Sequence, residues 1–246
     1  MHVSIRILSA LWICGACVSP ALAWSPASRV QMLDQALRLL PESLRSALQG
    51  YHEELRRGML EPMLDEDGPA HRAPWDDGHL DSTVDAEIEA LVSALRKGSD
   101  FDEISRRFGR VAHFVLDAGF PPAMGDDGSA RYAHFGGYCE AKLSKFPLVF
   151  YGHDDESDTV VYRDRALQTM SRARDDDRLL ARAYAAAGDP PDPAHFGDRS
   201  VPFAVGSLSY SHGVTNIVRM WLGAWRQAGG DMGRTPFLGM DLELKK

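Results

Sequence analysis

The feature that most constrains the fold of this chain is a helical spacing of apolar residues that recurs along most of its length. Val30, Leu33, Leu37 and Leu40 follow one another at intervals of three or four residues, as on one face of a helix. The same spacing continues in residues 41–55, 83–98, 99–119, 165–187 and 201–228, with a short helix expected near 138–143. No alternating pattern typical of strands is sustained over several segments. The sequence therefore predicts an all-α fold, a single-domain helical bundle.

Glycine, proline and capping residues predict where these helices begin and end. Ser82 or Thr83 can cap the helix that Gly98 ends, and Gly119 ends the next one before a pair of prolines. Gly213 suggests an interruption in the last helix. Residues 58–80, 121–131 and 188–200 are rich in glycine, proline and charged residues, which predicts irregular loops.

The N-terminal residues have the organisation of a signal peptide. Arg6 precedes an apolar stretch, Ile7 to Val18, that is too short to span a bilayer comfortably. The small residues that signal peptidase requires follow in the sequence Ala-Leu-Ala. We therefore expect residues 1–23 to be removed, leaving Trp24 at the start of one domain, 24–246. The product would be exported, either periplasmic or secreted, with no transmembrane segment after processing.

Charge and cysteine content narrow the choice of partners and of stabilising links. The formal charge of −8 argues against broad electrostatic binding to nucleic acid or anionic lipid. Two of the three cysteines, Cys14 and Cys17, lie in the expected signal peptide, so Cys139 has no intrachain disulfide partner. Stability must then depend on the apolar core or on a bound metal ion.

His113 and Asp117 are the leading candidates for metal ligands. Their spacing of four residues places the imidazole and the carboxylate on one face of a helix, and both groups are common zinc ligands. Their neighbours are largely apolar, which predicts a buried helix on which charged groups need partners. A surface His–Asp pair, or a core histidine satisfied by a neighbour, is the alternative interpretation.

A second group of candidate ligands lies in the acidic loop that precedes the helix at 83–98. His71 is preceded there by three carboxylates that have the chemistry of a metal ligand, although a solvated acidic turn is the alternative. Together with His113 and Asp117, His71 and one of these acids would form a four-ligand zinc site. The three acids are Glu61, Asp65 and Asp67, and the spacing does not choose among them.

These residues, in this order, resemble the zinc-dependent phospholipase C and single-strand-specific nuclease superfamily. The motif that carries the resemblance is His113, Phe114 and Asp117, followed by a turn containing Pro121. Mature chains of that superfamily begin with a zinc-binding tryptophan, which matches Trp24. The resemblance implies the helical bundle of that type and one to three zinc ions. It implies as metal ligands Trp24, Asp65, Asp67, His71, His113 and Asp117, with Asp65 or a neighbouring acid also accepting a proton in catalysis.

Several positions depart from the superfamily pattern and predict fewer metal ions. Ala123 or Met124 stands where a second histidine is expected, and Gly136 stands where a glutamate is expected. Arg29 lies about where an early histidine would be, and a guanidinium stays protonated and does not bind zinc. It can instead place a positive charge where a cation would lie, and pair with Asp117.

The resemblance implies three functions. The first is hydrolysis of a phosphodiester by metal-activated water. Its substrate would be a small-molecule or lipid phosphoester, because nucleic acid suits an acidic surface less well. The second is a non-catalytic zinc-binding or scaffolding role in the cell envelope. The third is a hydrolase with a single zinc ion. The sequence leaves the oligomeric state open.

Overall fold

Helices account for most of the described residues of the computed structural model, which are 23–65, 67–126, 129–154, 161–188 and 196–238. The α-helices in these ranges are α1 (Pro26–Leu37), α2 (Glu42–Gly50), α3 (His52–Leu60), α4 (Leu80–Lys97), α5 (Phe101–Ala118), α6 (Pro121–Met124), α7 (Ser129–Lys142), α8 (Tyr162–Ala187) and α9 (Val201–Gln227). Short 3₁₀ helices occupy Glu61–Asp65, Pro69–His71, Pro74–Asp76 and Leu143–Lys145. None of the described residues forms a strand, and the all-α prediction is confirmed.

The expected signal peptide lies outside the described residues except for Ala23, which is buried. Among the helices of the described ranges, none combines the length and the apolar character needed to cross a membrane.

The helix ends predicted around α4 and α5 are largely confirmed. Gly98 ends α4 in the left-handed conformation at φ 66°, which costs glycine nothing, and Gly119 follows the last residue of α5. Helix α4 begins at Leu80, earlier than predicted. The hydroxyls of Ser82 and Thr83 donate to the carbonyl of His79 at 2.9 and 3.0 Å, so neither residue is the N-cap.

The predicted loops 58–80 and 121–131 are partly helical, and the predicted helix break at Gly213 is absent from α9. Helix α3 continues to Leu60, so the loop begins three residues later than expected, and α7 begins at Ser129 rather than near 138. Helix α9 runs through Gly213 without interruption. A Cβ atom at that position would lie 2.8 Å from Leu116 Cδ2, so this glycine permits close helix packing rather than a bend.

The crossing of α3 and α5 brings two helix backbones into direct contact. A Cβ atom at Gly58 would overlap the carbonyl oxygen of Arg106, and one at Gly109 would overlap that of Leu55. Only glycine at both positions allows this approach. The crossing places Met59, the residue after Gly58, against the inner face of α5.

Two buried tryptophans fix the neighbours of α5. The indole N–H of Trp221 on α9 donates to the carbonyl of Phe108 at 2.9 Å, and the two rings make an edge contact at 5.5 Å. Trp24 packs edge-on against Phe120 at 5.4 Å and is 1% exposed. The Trp221 contact joins α9 to the middle of α5, and the Trp24 contact holds the start of α1 against the end of α5.

Candidate metal centre

His113 and Asp117 lie one turn apart on the inner face of α5, opposite His71 on the 3₁₀ helix Pro69–His71. The three residues are 0%, 2% and 7% exposed, respectively. The alternative of a surface His–Asp pair is therefore wrong, and the prediction of a buried helix carrying both groups is confirmed. One ligand atom from each residue converges on a common space, and the three can hold a metal ion.

The separations of the three ligand atoms are close to those around a tetrahedral metal ion. His113 Nε2 lies 3.4 Å from His71 Nδ1 and 3.1 Å from Asp117 Oδ2, and the latter lies 2.7 Å from His71 Nδ1. Zinc bonds of about 2.0–2.1 Å in a tetrahedron separate ligand atoms by roughly 3.3–3.4 Å. One distance already matches, and the other two are shorter by roughly 0.2–0.7 Å. Small rotations of the side chains would open them.

The hydrogen bonds of His113 leave a lone pair directed at Asp117. Its Nδ1 lies 2.7 Å from the carbonyl oxygen of Met59, a distance that requires an N–H donating to that oxygen. Burial, and to a lesser extent Arg29, lowers the pKa of His113 despite the opposing charge of Asp117, which favours the neutral ring. In that neutral tautomer, Nε2 is an acceptor facing the acceptor Oδ2 at 3.1 Å. A cation between these two atoms would satisfy both.

Asp117 is ionised in spite of its burial. Burial alone would raise the pKa of this carboxyl group, but the guanidinium of Arg29, together with the hydrogen bond from His71, holds it well below its usual range. Its two oxygens have different partners. Oδ1 accepts a hydrogen bond from Arg29 Nη2 at 2.5 Å, and Oδ2 faces His71 and His113. One oxygen therefore belongs to an ion pair and the other to the metal-ligand group.

Arg29 supplies a fixed positive charge inside this part of the core. Its side chain is fully buried. It donates to the carbonyl oxygens of Trp24 at 3.0 Å and His113 at 3.3 Å, as well as to Asp117. The predicted pairing of Arg29 with Asp117 is confirmed. The guanidinium links the first turn of α1 to the last turn of α5.

The remaining sequence-predicted ligands lie apart from the convergent group. The side chains of Glu61, Asp65 and Asp67 are exposed, and none belongs to a cluster of three or more metal-ligating groups within the described ranges. The carbonyl oxygen of Trp24 accepts a hydrogen bond from Arg29 rather than pointing to a metal-ligating cluster. A ligand role for any of these four residues stays a prediction.

Sequence reasoning missed the residues that orient the histidines. The carbonyl of Met59 fixes the ring of His113. Phe114 belongs to the predicted motif, but its contact with the ring of His71, at 5.0 Å between centroids, was not predicted. A backbone carbonyl leaves no sequence signal. The glycines at 58 and 109 are the one indirect sign, because small residues on two neighbouring helices permit such a crossing.

Comparisons with protein-family models, with curated proteins and with solved structures found no match for this chain.

Proposed function

We propose that this chain is an exported, non-catalytic descendant of the zinc-dependent phospholipase C and nuclease superfamily. Its buried group, His71, His113 and Asp117, would hold one zinc ion that stabilises the helical fold. The observation that carries the proposal is the convergence of three buried ligand atoms, His71 Nδ1, His113 Nε2 and Asp117 Oδ2, which lie within 3.4 Å of one another. Without a metal ion, His71 Nδ1 donates a proton to Asp117 Oδ2 at 2.7 Å, and a bound ion would replace that proton.

Zinc suits this set of donors better than magnesium or calcium does. Imidazole nitrogen favours zinc and its transition-metal neighbours, whereas the lighter divalent ions prefer oxygen ligands only. When bound, the ion supplies strong bonds that tie His71 to α5. The carbonyl of Met59 does not bind the ion, but it fixes the orientation of the His113 ring by accepting a hydrogen bond from Nδ1.

Burial favours a structural ion over a catalytic one. A catalytic zinc keeps one coordination position open to water and substrate, whereas the three ligands here are at most 7% exposed. The exposed Asp65, the expected proton acceptor, lies outside the convergent group. Arg29 also binds Asp117 Oδ1, so this carboxylate cannot bridge two metal ions. These observations support a single ion without hydrolytic chemistry.

Metal content is the direct test of this proposal. We expect the purified domain 24–246, loaded with zinc and then dialysed, to retain about one zinc per chain by elemental analysis. His113→Ala should lose the ion and the thermal stabilisation that zinc provides. His52→Ala is the matched control, because His52 forms a partly exposed pair with Asp34 at 2.8 Å, away from the group. It should keep its zinc.

The other outcomes each replace the proposal with a stated alternative. Zinc content unchanged in His113→Ala would remove this group from consideration. Iron rather than zinc in the domain purified without added metal would assign the two-histidine, one-carboxylate set to the chemistry of non-haem iron. Hydrolysis of a nitrophenyl phosphodiester by the zinc-loaded wild type, lost in His113→Ala, would make the protein a hydrolase with one metal ion.

A further inference from the structure

A group of three arginines lies at the junction of α8, α9 and the segment before residue 154, away from the metal-ligand group. Arg165 and Arg219 share a single carboxylate, that of Asp154, at 2.8 and 3.3 Å. Arg219 also donates to the carbonyl oxygens of Tyr151 and Gly152, both at 2.9 Å. These bonds hold the guanidinium of Arg219 in one orientation, only partly exposed to solvent.

The third arginine has no carboxylate partner within the described residues. The guanidinium of Arg172 contacts Nδ1 of His212 at 3.3 Å. Burial, together with the charges of Arg172 and Arg219, lowers the pKa of His212 to about 4, so this ring is neutral and accepts from Arg172. Asp176 lies one turn along α8, but it forms no ion pair with Arg172 among the described contacts. Asp176 acts on Arg172 only through a longer-range Coulombic attraction, so within the described residues the charge of Arg172 is compensated only in part.

The contacts connect these side chains into one surface. The ring of His212 stacks on that of Tyr151, with centroids 4.4 Å apart and planes at 15°. Tyr151 is 40% exposed, and its carbonyl oxygen accepts a hydrogen bond from Arg219. Burial and the nearby Arg165 and Arg172 lower the pKa of Arg219 against the effect of Asp154, so both other arginines lie close enough to Arg219 to act on its charge.

We propose that Arg165, Arg172 and Arg219 form a binding site for a dianionic phosphate group. Three guanidinium groups accompany the ion-paired carboxylate of Asp154 and the more distant one of Asp176, so the described groups carry an excess of positive charge. A phosphate dianion supplies two negative charges and several acceptor oxygens, which match the planar donors of arginine. The exposed ring of Tyr151 lies beside this site and can contact the organic part of an aromatic phosphomonoester. The inference is independent of the metal ion.

The test is a titration of the domain 24–246 with inorganic phosphate, followed calorimetrically in EDTA at constant ionic strength. EDTA removes bound metal, so phosphate binding at the histidine group cannot produce the signal. We expect saturable binding of one phosphate per chain. Arg172→Gln should weaken phosphate binding at least fivefold, because it removes one of the three positive charges. The variant should stay folded, since Arg172 is exposed. Arg178→Gln is the matched control, because Arg178 is an exposed arginine of α8 paired with Asp175. It should change the affinity less than twofold.

A parallel titration with phenyl phosphate distinguishes two sources of the dianion. Tighter binding of phenyl phosphate, lost in Tyr151→Ala, identifies an aromatic phosphomonoester as the ligand. Equal binding of the two probes identifies inorganic phosphate. Both results support a dianion site.

Three results would overturn the proposal. The first is the absence of saturable phosphate binding by the wild type. The second is equal weakening by Arg172→Gln and Arg178→Gln. The third concerns Asp155, Glu156 and Asp158, acidic residues that follow Asp154 in the sequence and lie outside the described residues. A variant combining Asp155→Asn, Glu156→Gln and Asp158→Asn tests this. If phosphate binds only to that variant, the chain's own carboxylates fill the site.

Discussion

Replacing Arg29 by methionine is the sharpest test of the buried charge network. Methionine fills similar space without charge, so the variant removes the three hydrogen bonds to Trp24, His113 and Asp117 while largely keeping the packing. Asp117 would then be a buried carboxylate with only imidazoles as partners. Breaking one side of a buried ion pair destabilises a protein by about 3–5 kcal/mol. At roughly 2–4 °C per kcal/mol for a domain of this size, the melting temperature should fall by roughly 6–20 °C.

The stability lost in Arg29→Met should depend on pH. Arg29 lowers the pKa of both His113 and Asp117, so its removal raises both. At low pH, a proton on His113 supplies the positive charge that Arg29 provided. The penalty should therefore be smaller at pH 5.5 than at pH 8, because the folded variant binds more protons as the pH falls.

Urea denaturation of the wild type and of Arg29→Met, followed by circular dichroism in EDTA at both pH values, measures these effects. Arg107→Met is the control. It removes an exposed ion pair with Glu103 at 2.7 Å and should leave the free energy of unfolding nearly unchanged, because solvent screens such a pair. A loss below about 1 kcal/mol for Arg29→Met would refute the reasoning, because so small a value is typical of an exposed pair.

The crossing of α3 and α5 and the half-buried imidazole of His212 give two further predictions. Gly109→Ala should cost about 2 kcal/mol or more in urea denaturation, because its Cβ would overlap the carbonyl of Leu55, whereas Gly137→Ala, in open space on α7, should be neutral or stabilising. Stability should fall as the pH drops from 6.5 to 4, because the unfolded chain protonates His212 while the folded chain does not. His212→Gln should flatten this fall in denaturation curves measured across that range.

The central part of the site could be predicted from the sequence because its signals are local. A spacing of four residues on a helix fixes the geometry of His113 and Asp117, whatever surrounds them. The apolar neighbours of this pair indicated that the helix is buried, and the helix lies in the core. The pairing of Arg29 with Asp117 was reached differently, through the resemblance, which placed a cation near that carboxylate.

The parts that sequence reasoning missed depend on contacts between distant segments. Met59 contributes a backbone carbonyl, which any residue type would provide, and its position is set by the glycines of the α3–α5 crossing. Gly213 was interpreted as a helix break because glycine has a low helix propensity. In the structure, the close approach of Leu116 decides what fits at that position. Tertiary packing outweighs local propensity in both cases.

The division of Asp117 between Arg29 and the two histidines has a consequence for the affinity of the metal ion. A zinc ion in this group would share the only carboxylate with a guanidinium, so part of the negative charge is already engaged. Arg29→Met should therefore bind zinc more tightly than the wild type in competition with a chromophoric chelator, even though its metal-free form is less stable. A general loss of structure would also weaken zinc binding, so the comparison requires that the variant is folded by circular dichroism. Weaker zinc binding by the folded variant would show that Arg29 supports the ion rather than competing with it.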